Sequence, residues 1–204
     1  LLPRWVKAGS AQDYMARLNN PDLLAQIKKE TKENLRRRGG ADAVLITQDK
    51  AGWKGRTLKQ IPETYNMTAG DTALKIVREG DARIASFNMD MKDIENFMRQ
   101  DWVMTSSDGS TGHPRKFASY PRKYQDFVVT KKLMPLETFF HRSSGLVADT
   151  FGMCERGYLK PGFKADIAII NPAAFAPKAD FQNATELTQG VEHLFVNGTP
   201  AIVS

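Results

Sequence analysis

A single cysteine, three histidines and no apolar run near the roughly 20 residues that cross a bilayer mark this 204-residue chain by what it is short of. One cysteine, Cys154, excludes an internal disulfide and fits a reducing compartment, for which the cytoplasm is the default expectation. The longest strand-like stretch, residues 167–170, sits among polar residues and prolines, so no membrane span is expected. The first ten residues lack the charged head and long apolar stretch of a secretory signal, and Leu1 in place of an initiator Met fits a trimmed or partial chain. No glycine-rich loop follows a strand, which leaves nucleotide binding without support. Internal repeats and low-complexity tracts are absent too. At 41% hydrophobic and 25% charged residues, disorder, collagen and a disulfide scaffold are excluded, and the chain can bury a real core.

What is there begins with charge. The balance is 29 basic against 23 acidic residues, a formal +6, and the excess is gathered only at residues 28–38. There Lys28, Lys29, Lys32, Arg36, Arg37 and Arg38 face Glu30 and Glu33. A solvated helix face with Glu33 and Arg37 as an i,i+4 pair is the plain reading, and an anion or nucleic-acid patch the other. Asn20-Pro21-Asp22 starts this helix, which the Leu23, Leu24, Ile27 spacing carries to Gly39-Gly40. A short β-branched strand follows at 43–47, then Thr57 as an N-cap for 58–61. Asp71 is read as the cap of a helix closed by Gly80, followed by a strand at 82–87, a helix at 91–99 and a strand at 102–105. Helix and strand in alternation is the rhythm of a parallel α/β architecture.

That rhythm stops at Ser106. Residues 106–122 read as a long polar loop with two glycines and two prolines, a length that favours function over mere connection. Helices resume at 124–132 and, with Pro135 at a first helical position, at 136–142. The tail is β-rich: a strand at 165–170, and another at 191–196 running into the hairpin signal Asn197-Gly198. Asp108 lies just past the carboxyl end of an expected parallel strand, where α/β barrels and open sheets place catalytic groups. Gly109 and Gly112 free the backbone, and His113-Pro114-Arg115 brings an imidazole and a guanidinium close in sequence. A surface turn accounts for the same residues. His141, on an expected helix, and His193, on an expected strand, lack a second ligand at metal spacing, so structural roles are favoured. Cys154 reads as either a packing residue or a nucleophile, and Phe139 and Phe140 as core.

Several segments in order resemble one family. Phe87-Asn88-Met89, Trp102-Val103-Met104 into Ser107-Asp108-Gly109, His113-Pro114-Arg115 and Tyr120-Pro121-Arg122 are similar to the last barrel strands and following loop of the N-acyl-D-amino-acid deacylases (D-aminoacylases) of the metal-dependent amidohydrolase superfamily. Met134-Pro135-Leu136-Glu137 resembles a penultimate helix start. Arg156-Gly157, Pro161-Gly162, Lys164-Ala165-Asp166, Gly190-Val191-Glu192-His193 and Val196-Asn197-Gly198 resemble a returning β-sandwich. The resemblance implies an α/β fold: the C-terminal part of a (β/α)8 amidohydrolase barrel plus part of a small β-sandwich. It divides the chain into a lid-like insertion at 1–66, the last two barrel strands with their helices at 67–150, and a sandwich portion at 151–204. The His-x-His metal motif of the first barrel strand is missing from these residues, and a whole barrel takes about 250 residues. Ala118, where the family more often has glycine, and Tyr120, where it often has phenylalanine, alter the expected pocket shape.

The implied chemistry is hydrolysis of the amide of a small-molecule N-acyl-D-amino acid, giving a carboxylate and a free D-amino acid. The implied cofactor is Zn2+, one or two ions, with Asp108 a metal ligand and the other ligands in an N-terminal half outside this chain. Zinc would polarise the carbonyl and lower the pKa of water toward about 7. Asp108 would then be the catalytic carboxylate that takes the water's proton and delivers it to the departing amine. Arg115 would offer a bidentate fork to the substrate carboxylate. His113, Ser110 and Asn88 are substrate-binding candidates, with turn hydrogen bonds the plainer reading for the last two. Two other readings stay open: a related amidohydrolase acting on another linear or cyclic amide, or a noncatalytic module whose basic helix binds an anion, with nucleic acid a poor fit and no membrane contact expected. A two-strand barrel remnant has open sheet edges, so this segment expressed alone is expected to aggregate and to lack activity. Size-exclusion chromatography and a deacylase assay check this, and a monomeric, cooperatively folding product would refute it.

Overall fold

The computed structural model describes residues 1–61 and 66–203, so four residues of the expected insertion, 62–65, and the last residue of the expected sandwich portion lie outside the described residues. The chain forms two units, Leu1–Asn88 and Met89–Ser204.

In the first unit, helix starts are written in local side-chain chemistry. Ser10 and Asp13 form a reciprocal capping box that begins α1, Ala11–Asn19, a helix whose sparse apolar residues give no period in the sequence. The Asn20 side chain accepts from the Asp22 N–H at 2.9 Å, with Pro21 leading α2, Pro21–Arg37. Ile27, Thr31 and Leu35 form its buried stripe, and Gly39 with φ +89° turns the chain out. Thr57 accepts from the Gln60 N–H at 3.3 Å as the expected cap, and the Gln60 side chain in turn accepts from the Thr57 N–H at 2.9 Å. The helix α3, Ala69–Arg78, is capped by Thr68 rather than Asp71: the Thr68 hydroxyl accepts from the Asp71 N–H, and Asp71 is the third helical residue.

Two strands pack among these helices. The strand β1, Val44–Gln48, pairs with β2, Arg83–Ser86, with Val44 opposite Ser86 and Ile46 opposite Ile84. They run antiparallel, which corrects the parallel expectation. Apolar patterning identifies a strand, whereas its direction is set by the path of the connection. Leu35, Val44, Ile46, Trp53, Leu58, Ile61 and Ile76 form one buried cluster, and Leu2, Val6, Leu18, Ile27 and Leu74 a second. Burying one such aliphatic side chain contributes about 2 kcal/mol.

The second unit opens with α4, Met91–Arg99, capped by Asp90 and within its expected bounds. Residues 102–105, expected as a strand, are not one. A strand exists through its neighbours, and among the described residues none pairs with this segment; instead the Thr105 N–H donates to the Arg142 carbonyl at 2.9 Å. The polar loop is also shorter than expected, because α5, Arg115–Lys123, takes its second half. Pro121 inside that helix cannot donate to the Phe117 carbonyl, and the Thr188 hydroxyl donates to it at 2.7 Å. The chain continues into a π-helical stretch, Tyr124–Thr130, where an α-helix was expected. Then follow α6, Leu136–Ser143, with Pro135 as its cap rather than its first residue, and an unforeseen short helix α7, Gly145–Phe151.

The tail forms an antiparallel sheet of β3, Ile167–Ile170, β4, Val191–Val196, and β5, Thr199–Val203. Asn197 and Gly198, φ +50° and +79°, make the anticipated hairpin turn. Tyr124, Phe127, Met134, Phe139 and Phe175 form the core, whereas Phe140, expected beside Phe139 inside, is 41% exposed. None of the described helices is long and apolar enough to cross a membrane.

Gly190 shows how tightly the tail is packed. Its φ is +80°, and a Cβ there would meet the Phe175 nitrogen at 2.5 Å, while its carbonyl accepts from the Asn171 N–H at 2.9 Å. Gly190→Ala is therefore expected to destabilise the protein by about 1 kcal/mol or more, read as a lowered denaturant midpoint at unchanged slope.

Candidate functional site

The chain turns from its core into solvent between Thr105 and Pro114. Thr105 is buried; Ser106, Ser107, Asp108 and Gly109 are exposed, and Gly112, φ +76°, bends the backbone back. The Pro114 carbonyl then accepts from the Phe117 and Ala118 N–H groups, both at 2.9 Å, and α5 begins at Arg115. This geometry brings three of the expected residues together. Arg115 Nη2 lies 2.7 Å from Asp108 Oδ2, while Arg115 Nε is buried without a hydrogen-bond partner. The Arg115 backbone N–H donates to His113 Nδ1 at 3.1 Å, which leaves Nε2 to carry the proton of the neutral ring. Burial lowers the His113 pKa, the Arg115 charge lowers it further, and Asp108 opposes both. The ring packs edge-on against Phe181, centroids 5.0 Å apart. Ser110 is half-buried on the same loop, whereas Asn88 is exposed in the first unit, against Gly39.

Behind the loop lies a polar cluster that no sequence pattern announced. The Thr105 hydroxyl oxygen accepts from Lys123 Nζ at 2.8 Å and from Ser143 Oγ at 2.8 Å. The Tyr120 hydroxyl donates to the Thr105 carbonyl at 3.4 Å. Lys123 and Arg142 are both buried, at 6% and 5% exposure, and Arg142 Nη1 donates to the Met98 carbonyl at 2.6 Å. Desolvation, then the Arg142 charge, lowers the Lys123 pKa to about 8. Lysine at 123 breaks the apolar run of Ala118, Pro121, Tyr124 and Phe127, so its burial was illegible.

A carboxylate such as Asp108 is a donor that zinc accepts, but one ligand is not a site. Among the described residues no group of three or more His, Cys, Asp or Glu could hold a metal ion. His141 is exposed on α6, His193 lies on β4 beside Phe195, and Cys154 is exposed, which overturns its reading as a packing residue. On the basic helix Glu33 bridges Arg36 and Arg37 at 2.8 and 2.9 Å, and Lys28 meets Asp71 of α3 at 2.7 Å. The hydrogen bonds from Arg36 and Arg37 pull the Glu33 pKa down to about 2.

No family model matches the chain. Known proteins do. The D-aminoacylase of Alcaligenes xylosoxydans xylosoxydans is 31% identical over a 176-residue alignment that takes in 78% of this chain and 36% of that protein. A crystal structure of D-aminoacylase, described as defining a novel subset of amidohydrolases, matches with a TM-score of 0.70 at 30% identity, covering 79% of this chain and 35% of its own. The N-acyl-D-glutamate deacylase of Bordetella bronchiseptica, solved with zinc and a phosphonate mimic of the tetrahedral intermediate, matches with a TM-score of 0.72 at 28% identity, covering 82% and 36%. The chain thus spans about a third of the length of the relatives it matches.

Lys123 carries a measurable signature. Its folded pKa of about 8 lies below the ordinary lysine value of about 10.4, so between these pH values the unfolded chain binds more protons and stability rises with pH. The difference in unfolding free energy between the protein and Lys123→Met is expected to shift in favour of the protein between pH 7 and pH 10. A pH-independent difference would show that burial does not penalise this charge.

Proposed function

We propose that the chain belongs to the N-acyl-D-amino-acid deacylase family of the amidohydrolases and is the C-terminal part of an enzyme that hydrolyses N-acyl-D-amino acids to a carboxylate and a free D-amino acid. The observation that carries the reading is an exposed carboxylate on the loop held 2.7 Å from a guanidinium at the first residue of α5, in a chain whose matched relatives are deacylases. Residues 1–66 are assigned to a lid-like insertion, 67–150 to the end of a (β/α)8 barrel domain, where among the described residues β2 is the one strand and 102–105 run unpaired, and 151–204 to a β-sandwich portion. The antiparallel sheet β3–β4–β5 supports the last of these. Zn2+ is the cofactor, with Asp108 one ligand and most of the others outside this chain. The single exposed cysteine supports the cytoplasm as the compartment.

A bound zinc ion supplies Lewis acidity at the acyl carbonyl. The rest falls to the loop. Asp108 accepts a proton from the attacking water as its oxygen bonds to the acyl carbon, and returns that proton to the amine nitrogen as the C–N bond breaks. A carboxylate suits both directions because it carries the proton without adding positive charge. Arg115 takes the carboxylate of the amino acid in a planar two-point contact, in competition with Asp108. Ser110 and His113 contact substrate less directly, His113 by shaping the start of α5 through its bond from the Arg115 N–H; Asn88, in the first unit, is not assigned to this site.

In the full-length enzyme with zinc, Asp108→Asn is expected to lower kcat by about 100-fold or more with the circular dichroism spectrum unchanged. Arg115→Lys is expected to act mainly through KM. Wild-type turnover of N-acetyl-D-methionine by the Asp108→Asn variant would remove Asp108 from the chemistry.

A further inference from the structure

Between the last buried residue, Thr105, and the carboxylate of Asp108 stand only Ser106 and Ser107, both exposed. A carboxylate on such a loop is placed no better than the nearest fixed atom behind it. We propose that Thr105, clamped through its hydroxyl by Lys123 and Ser143, is the positioning residue that fixes Asp108 for proton transfer. The inference rests on the deacylase reading of the same loop.

Thr105 is held on every polar group it has. Its N–H donates to the Arg142 carbonyl, its carbonyl accepts from Tyr120, and its hydroxyl oxygen accepts from both Lys123 and Ser143. A β-branched side chain with two donors on one oxygen has a single rotamer open to it. The choice of lysine is informative. A residue that only filled space beside Thr105 would be apolar, because a buried ammonium is disfavoured. An ammonium instead gives a charge-assisted bond, stronger than a neutral donor would make.

One helix references both ends of the segment. Lys123 and Tyr120, in the last turns of α5, hold Thr105, and Arg115, at its first position, holds Asp108. At about 1.5 Å per residue the eight steps from Arg115 to Lys123 make a rigid rule about 12 Å long. The loop spans it with one buried anchor and one ion pair. Loss of the anchor leaves Asp108 referenced only through a surface ion pair, which constrains little by itself.

The test uses the full-length zinc enzyme and compares Thr105→Val, Thr105→Ser and Ser143→Ala with wild type. It reads kcat and KM for N-acetyl-D-methionine, the melting temperature, and hydrogen exchange of residues 106–114. Valine keeps the shape and removes the shared acceptor. Thr105→Val is expected to lose about 10- to 100-fold in kcat with KM within about twofold, and to exchange faster at 106–114. Thr105→Ser restores both, and Ser143→Ala, which keeps the lysine bond, falls between. A kcat within about twofold of wild type in folded Thr105→Val overturns the proposal, as does a loss of kcat with exchange at 106–114 unchanged. Should Thr105→Val fail to fold, Ser143→Ala decides by the same two readouts. A wild-type enzyme that turns over no N-acyl-D-amino acid defeats the deacylase reading alone. In that case exchange still decides: faster exchange at 106–114 in Thr105→Val upholds the anchoring, and unchanged exchange refutes it.

Discussion

An ammonium group removed from water must find acceptors, and in the second unit that requirement converges on Thr105. Lys123 brings the charge in on α5, Thr105 offers its hydroxyl oxygen, and Ser143 shares that oxygen from α6. The backbone of Thr105 answers in turn to Arg142 and Tyr120. Because buried polar groups are costly when unmet, this cluster admits few alternative arrangements, and the elements that contribute to it are fixed relative to one another. The aromatic core of Tyr124, Phe127, Phe139 and Phe175 packs the same helices from their apolar sides. Dispersion and burial supply most of the energy there, and the polar cluster supplies direction.

The loop from Ser106 to Pro114 gains from that support without sharing its burial. Asp108 and Arg115 stay exposed to solvent, at 64% and 41% side-chain exposure, while Thr105, Lys123 and Arg142 at the loop's root are buried. The Asp108–Arg115 pair keeps each charge neutralised where no ligand competes for it. The stretch matched to this chain covers about a third of the relatives' own length.

The first unit rests on different physics. Capping by Ser10, Asn20 and Thr68 settles where helices begin, and two aliphatic clusters settle how they pack. On its basic helix face Glu33 sits between two arginines, offsetting part of an exposed positive run. That pairing makes the run a solvated surface, and its contribution to a field that would attract a polyanion is correspondingly reduced.

Much of this was written along the chain. The bounds of α4, the start of α2 at Asn20-Pro21, the cap at Thr57 and the Asn197-Gly198 hairpin follow from interactions between residues close in sequence, which is why local reading found them. Asp108, His113 and Arg115 lie within eight positions of one another, so their meeting was also within reach of sequence and of the family resemblance. The antiparallel sense of β1 and β2, the unpaired course of 102–105 and the helical second half of the polar loop were not, because each depends on which distant segment lies alongside. The same holds for Lys123. A lysine in sequence reads as a surface residue, and only the approach of Thr105 and Ser143, 18 residues before it and 20 after, turns its charge inward. Sequence determined the local elements and the chemical groups on the loop, since hydrogen bonds and φ preferences over a few residues suffice for those. Tertiary structure decided the strand direction and the buried anchor, since both are made of contacts whose partners the chain brings together only by folding.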